Sequence, residues 1–281
     1  MNHKYYKIKA FSLIELSIVI LIIGILVAGV TQSSRMIKQF RLKTAQNLTS
    51  SSPVISIKDL VMWFEVSGET SIIEAEAEDG QPVSAWYDIN PQSSFKNNLT
   101  SSGSKRPLYA AEISNGVPAL KFDGVNDSLI LSPEYTLDLT QTTFVVFKPS
   151  TAAENGMLLS TTSNNGGRYQ VLRYQGNVPT ISTWNGVAFN PTVVALTTPQ
   201  IAVLTQNGST VQIFHNGASL GSATVSNENY KFSQVGELDI DDQAPFDGYI
   251  AEIIIYNRAL KTEERKAIEA YLAKKYAITV V

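Results

Sequence analysis

The chain has two hydrophobic textures. Residues 10–30, AFSLIELSIVILIIGILVAGV, form an apolar run that carries one charge, Glu15. A helix of about 20 apolar residues spans the hydrocarbon core of a bilayer, and a carboxylate inside it costs roughly 2.5–3.5 kcal/mol, so it needs a partner. The next segment, TQSSRMIKQFRLKTAQNL, has no Gly or Pro and sets Ile37, Phe40, Thr44 and Leu48 at helical spacing on one stripe. The pattern predicts one helix over residues 11–48, about 57 Å long at 1.5 Å per residue. Its apolar first half suits packing among neighbours, and its amphipathic second half suits packing on its own domain. Gly24 and Ala28 give a small face for close helix approach. TSSSP, residues 49–53, reads as a linker, because Pro53 disfavours an α conformation at Ser52 and the serines compete for backbone hydrogen bonds.

From residue 54 the period changes. Short β-branched and aromatic runs separated by turn residues predict strands at Leu60–Val66, Ala119–Asp123, Ser128–Leu131, Thr142–Lys148, Gly156–Ser160, Tyr169–Tyr174, Gln200–Gln206, Thr210–His215, Ser219–Val225 and Gly248–Tyr256. Asn207-Gly208 and Asn216-Gly217 carry type I′ hairpin chemistry. Such spacing argues for an antiparallel sandwich. KTEERKAIEAYLAKKY closes the chain as a helix, with Thr262 as N-cap, Glu263 and Glu264 in the first turn, Lys274 and Lys275 in the last, and Ile268, Tyr271 and Leu272 on one face. The fold class is α+β overall: a long N-terminal transmembrane helix plus an all-β sandwich with a C-terminal helix.

Charge narrows the partners. The formal net charge is −3, but residues 49–281 hold 15 basic against 24 acidic residues, a poor match for nucleic acid, whose phosphates need clustered Lys and Arg. With no cysteine, thiolate nucleophiles and thiolate metal sites are excluded, and an exported domain must be held by burial alone. His3 and His215 are the two histidines, too few for a His-rich metal site.

The basic leader MNHKYYKIKA, then Phe11, then Glu15 five residues into the mature chain, then an unbroken apolar helix, resembles the type IV prepilin signature over residues 1–48. The resemblance implies cleavage between Ala10 and Phe11 by a prepilin peptidase, N-methylation of Phe11, insertion in the bacterial inner membrane with the N-terminus cytoplasmic, and assembly with other pilin or pseudopilin subunits into a filament. The new Phe11 amine would then be a cation within reach of Glu15. Two positions depart from the family: Ala10 stands where Gly is usual, and Gln32 stands where many major pilins have Pro. The charges do not orient the helix, since Lys4, Lys7 and Lys9 precede it and Arg35, Lys38, Arg41 and Lys43 follow it.

A second resemblance covers residues 57–278. The segments AWYDIN, RPLYAAEISNGVPALKFDGVNDSLIL, TTFVVFKPS, QIFHNGASLG and FDGYIAEIIIYNRALKTEERKAIEAYLAKKY look like the concanavalin A-like, laminin-G-like jelly rolls of bacterial surface proteins. They imply two curved antiparallel sheets and leave function open. The domain order is a leader over 1–10, a helix over 11–48, a linker over 49–53 and the sandwich over 54–281.

GELDIDD, residues 236–242, holds the densest candidate chemistry. Read as a strand, it lines up Glu237, Asp239 and Asp241 on one face. That resembles the E-x-D-x-E strand of laminarinase-type glycosidases, with Asp241 where the family has Glu. Read as a loop, Asp239, Asp241, Asp242 and Asp247 supply oxygen ligands for Ca²⁺. Asp123, Asn126 and Asp127 form a second polar turn. Trp184, Tyr169 and Tyr174 could stack on sugars, although strand aromatics are more often core. His215 reads as a strand-end polar residue, and there is no phosphate-cradling glycine loop. The expectation is a non-enzymatic pilin-like subunit that displays the sandwich for adhesion to a glycan or surface ligand, and the bulk of the sandwich favours a minor or tip position. The alternatives are a pseudopilin of a type II secretion system and an anchored glycosidase using Glu237 and Asp241.

Overall fold

The computed structural model describes residues 12–151, 155–160, 170–175, 180–184, 197–224, 231–238 and 244–281. Helix α1 runs Leu13–Ser50 and is followed by a short 3-10 turn, Pro53–Ile55. The strands are β1 (Leu60–Glu65), β2 (Ala85–Trp86), β3 (Leu99–Thr100), β4 (Leu108–Ser114), β5 (Val117–Asp123), β6 (Leu129–Thr136), β7 (Thr140–Pro149), β8 (Asn155–Ser160), β9 (Gln170–Gln175), β10 (Thr180–Trp184), β11 (Gln200–Asn207), β12 (Thr210–His215), β13 (Ala218–Thr224), β14 (Lys231–Val235) and β15 (Asp247–Tyr256). Helix α2, Thr262–Tyr276, closes the chain.

Two antiparallel sheets face each other. One has the order β13-β12-β11-β7-β15-β5-β4, with β1 also paired to β15; the other has the order β10-β9-β8-β14-β6-β3-β2. Alternation along each strand sorts side chains into layers. In the first sheet Met62, Phe64, Val145, Phe147, Ala202, Leu204, Ile253 and Ile255 point into the sandwich, where they meet Trp86, Leu129, Leu131, Phe232 and Val235 of the second. Trp63, Phe144, Val146, Ile201, Val203, Ile254 and Tyr256 point the other way and pack on Ala45 of α1 and on Ile268, Tyr271 and Leu272 of α2. The first sheet is therefore a middle layer with helices behind it, which is why its strands are apolar on both faces.

The turns are set by backbone sign. Asn216 and Gly217 have φ +47° and +85° between His215 and Ala218, the expected I′ geometry. Asn207 instead pairs with Thr210, so Gly208-Ser209 is the turn and only Gly208 has positive φ (+60°), a type II′ arrangement. A third tight turn, Asn115-Gly116 (φ +53° and +71°), joins β4 to β5. A Cβ at Gly116 would sit 2.7 Å from Cβ of Arg41, so this turn packs directly on α1.

Three expectations are corrected. First, α1 continues to Ser50, because the hydroxyls of Thr49, Ser50 and Ser51 donate to the carbonyls of Ala45, Gln46 and Asn47 along the helix. Pro53 then opens a 3-10 turn whose Val54 is buried, so residues 49–53 are docked on the domain. Second, of the expected stripe only Leu48 packs on the domain, beside Leu42, Ala45, Gln46 and Thr49; Ile37, Phe40 and Thr44 lie on the opposite face, and Phe40 is 69% exposed. Third, the N-cap of α2 is Lys261, whose N–H donates to Glu264 at 2.9 Å, while Glu264 also takes a bidentate pair from Arg258 at 2.9 and 3.0 Å.

Lys275 does not face solvent at the end of α2. Its exposure is 0%, and its ammonium lies 2.8 Å from Glu252, 3.0 Å from Glu65 and 2.8 Å from Thr49 Oγ1. Glu252 accepts four bonds, from Lys275, Trp63 Nε1, Tyr271 and Tyr276. Glu65 accepts from Lys275, from the N–H and hydroxyl of Ser67, from Gly68 N–H and from Ser71. Burial pushes the Glu65 carboxyl up, but Lys275 and the Ser67 and Ser71 hydroxyls outweigh it and hold it below its ordinary value. Burial likewise lowers Lys275, and Glu252 and Glu65 more than reverse this.

Lys275→Ala should therefore cost about 3–5 kcal/mol at pH 7, since it strands two buried carboxylates. A folded pKa held below the unfolded one contributes stability above the unfolded value, lost as pH falls through the folded one. Without Lys275 the Glu65 carboxyl of the folded variant takes up its proton at higher pH than in wild type, so the gap should narrow as pH falls through the carboxylate range. Thermal melting of the detergent-solubilised chain from pH 3 to 8 checks both.

Candidate functional site

At the N-terminus, Ser12 caps α1. Its hydroxyl accepts from Ile14 N–H at 3.3 Å, and Glu15 reaches back to Ser12 N–H at 2.9 Å, a reciprocal capping box. The S-x-x-E spacing that announces it is visible in the sequence but goes unused in the prepilin reading. Ala10 and Phe11 lie outside the described residues. Among the described residues nothing covers the apolar surface that Leu13 through Val30 present, and α1 is the one helix long and apolar enough to cross a membrane.

The acidic segment begins beyond the end of its strand. β14 ends at Val235, and Gly236 takes φ +90° where a side chain would strike the ring of Phe122. Glu237 follows in a bend and is fully buried; Gln234 Nε2 donates to it at 3.1 Å and Lys105 lies 3.7 Å away. It therefore does not stand on an open strand face, which corrects the strand alignment of the three acids at that residue. Asp239, Asp241 and Asp242 lie outside the described residues. Asp247 starts β15 and accepts from the Ser150 hydroxyl at 2.6 Å. Among the described residues no group of three or more His, Asp or Glu is placed to hold a metal.

The FDGVND turn is self-contained. One oxygen of Asp123 accepts from the N–H groups of Val125, Asn126 and Asp127 at 2.8–3.3 Å, and Asp127 accepts from Asp123 N–H at 2.9 Å. Burial, with the Asp123 charge beside it, pushes Asp127 up to about 7. His215 is buried against Gln200 at 2.7 Å, and burial lowers it to about 4, so its ring is neutral at physiological pH. Tyr169 lies outside the described residues, as do the side chains of Tyr174 and Trp184.

Two clefts open where α1 crosses the domain. One, of about 340 Å³, is lined by Lys43, Thr49, Glu65, Glu69 and Ile89, so the Lys275 cluster forms its floor. The other, of about 520 Å³, lies between Leu42, Glu69, Ile72, Glu74 and Tyr109.

Helix and sandwich together define a class: a jelly roll carried on a bare apolar helix. Residues 6–31 match the prokaryotic N-terminal methylation motif. Residues 122–264, just over half of the chain, match the concanavalin A-like lectin/glucanases superfamily, and the chain belongs to that superfamily. No curated protein matches it. Among solved structures it is similar to a GH54 α-L-arabinofuranosidase (12% identity, TM-score 0.54, 69% of this chain and 51% of that one) and to a Trypanosoma rangeli sialidase (15%, 0.54, 81% and 34%). It is also similar to domain 4 of AbnA, a GH43 arabinanase from Geobacillus stearothermophilus in complex with arabinotriose (16%, 0.51, 75% and 97%). This chain thus spans about half of the arabinofuranosidase and a third of the sialidase, and the likeness is one of fold.

A carboxyl raised in the folded state destabilises it once pH passes the unfolded value. Asp127→Asn should raise the melting temperature at pH 8 and converge on wild type below about pH 4, where an unfolded Asp is protonated too.

Proposed function

We propose that the protein is a type IV pilin-like subunit whose α1 anchors in the bacterial inner membrane and then packs in a filament, and whose sandwich binds a surface glycan or other partner without turning it over. The observation that carries the reading is the methylation motif on an apolar helix that is bare from Leu13 to Val30 and joined without a free linker to a folded domain. The Ser12–Glu15 capping box supports a role for Glu15 in holding the helix start, ready to accept the Phe11 amine once the leader is removed. Apolar surface continues to Phe40, and 28 residues of helix reach about 42 Å, beyond the roughly 30 Å that a bilayer core covers. Other helices would cover the excess.

Binding without turnover is supported by the setting of Glu237, buried and engaged by Gln234 and Lys105. An oligosaccharide partner is suggested by the arabinotriose held by the AbnA domain of the same fold.

The mature chain should begin with N-methyl-Phe11 when membrane-extracted protein is weighed intact; a mass corresponding to Met1 would sink the reading. Glu15→Ala should leave that cleavage intact and lower the amount recovered in sheared filaments several-fold. On a glycan array the full chain in detergent should retain one or more polysaccharides and release no sugar from them, with or without Ca²⁺. Hydrolysis abolished by Glu237→Gln would move it to the enzymes.

A further inference from the structure

The two charge signs are segregated along this chain. From Leu16 to Lys58 it has basic residues and no acid, and four of them, Arg35, Lys38, Arg41 and Lys43, lie on α1; from Val66 to Phe95 it has six acids and no Lys or Arg. Glu69, Glu74, Glu78 and Asp79 are exposed on the loop that leaves β1. This loop rims the 520 Å³ cleft beside Leu42, so the acids sit at the lower edge of the domain, where α1 emerges from it.

Helical spacing continues the docked stripe Leu42, Ala45 and Thr49 downward through Lys38 and Arg35. Below Leu42 that face has left the domain, and both side chains are exposed and form no ion pair among the described residues. One turn higher, Arg41 reaches Glu112 at 3.8 Å. Lys38 and Arg35 lie four and seven residues below Leu42, which is about 6–10 Å along the axis. They are thus offset from their own acidic rim by a short, definite distance.

We infer that the acidic cleft of one copy receives Arg35 and Lys38 of a second copy of this chain, staggered along the helix axis by about 6–10 Å. The inference rests on the filament reading above and specifies the contact. The two surfaces are of opposite charge, and each copy carries them at different places. Such a contact is heterologous: it leaves one acidic and one basic surface open at the two ends of a row, so copies add in series. Exposed pairs of this kind set register and exclude wrong partners more than they add affinity, and the apolar faces of α1 supply the adhesion. Neighbouring copies in contact would set aside the lone tip position expected from the bulk of the sandwich.

The chain has no cysteine, so single thiols report neighbours cleanly. Full-length copies carrying Arg35→Cys and differently tagged copies carrying Glu74→Cys would be produced together in cells with the pilus machinery, then treated with a short bis-maleimide in the membrane and sheared-filament fractions. The doubly tagged adduct should exceed at least tenfold that formed when Val125→Cys replaces Glu74→Cys. Arg35→Glu with Lys38→Glu should lower the adduct formed at a remote exposed pair, and adding Glu69→Lys with Glu74→Lys should restore it. Equal yields at Val125, or an adduct with a different protein, would overturn the self-contact. So would loss of membrane retention on charge reversal without rescue, which would assign the bases to lipid headgroups. The chain present in sheared filaments without the adduct would reject this contact and leave the filament reading standing; the adduct in membranes with no chain in filaments would do the reverse.

Discussion

Two carboxylates stand directly opposite each other in this fold. Glu65 of β1 is the register partner of Glu252 of β15, and like charges so placed repel. A bulge in β15 between Ile250 and Glu252 turns Ala251 and Glu252 to the same side, toward the helices. A cation between them offsets that repulsion and stabilises the pairing of the two strands in this register. Lys275 supplies it from α2, and Tyr271, Tyr276, Trp63 and the Ser67–Ser71 turn fill the remaining acceptor positions. The arrangement holds α2 at one rotation over the sheet, the one that sets the Lys275 ammonium against both carboxylates. Arg265, stacked 3.7 Å over Phe214 and paired with Glu269, fixes the other end of α2 by the same means.

The rest of the architecture follows from that seat. Thr49 brings α1 into the same cluster, donating to Ala45 and accepting from Lys275, so the N-terminal helix, the middle sheet and the C-terminal helix share one buried junction. Gly116 against Arg41 gives a second contact a little over two turns lower. Two fixed points define the direction in which α1 leaves the domain, and hence the side on which its apolar surface stands relative to the sandwich. A cysteine-free domain achieves this with burial and saturated ion pairs.

Much of this was legible in the sequence. Thr210–His215 reads as a strand to the residue, and Gln200–Asn207 to within one, because each is a short run rich in β-branched residues bounded by turn residues. β2 and β3 escape because two residues have no period; their partners in the sheet define them. β14 escapes because KFSQV mixes polar and apolar positions on both faces, and all but Lys231 are buried. The I′ turn at Asn115-Gly116 carried the same dipeptide signal as its neighbours. Lys275 was within reach too: it falls seven residues after Ile268 on the buried stripe of α2, a position that no solvated lysine should take. Its partners were not, since nothing local in FEVS or AEII says that the two strands are adjacent. The rotation of α1 is hidden in the sequence for a related reason, as Ile37 and Phe40 are the more apolar stripe and the domain is held by the more polar one.

The absence of a slack connector between α1 and the sandwich has a mechanical consequence. A tether at residues 49–53 would carry a pull on the head in series, through the chain itself. Here the last turn of α1, β1, β15 and α2 meet side by side at Lys275, so tension along the helix axis is shared among them in parallel and loads the junction in shear. Such a joint must break several short polar contacts at once before the head can peel away, which makes the head and its stalk a single stiff lever.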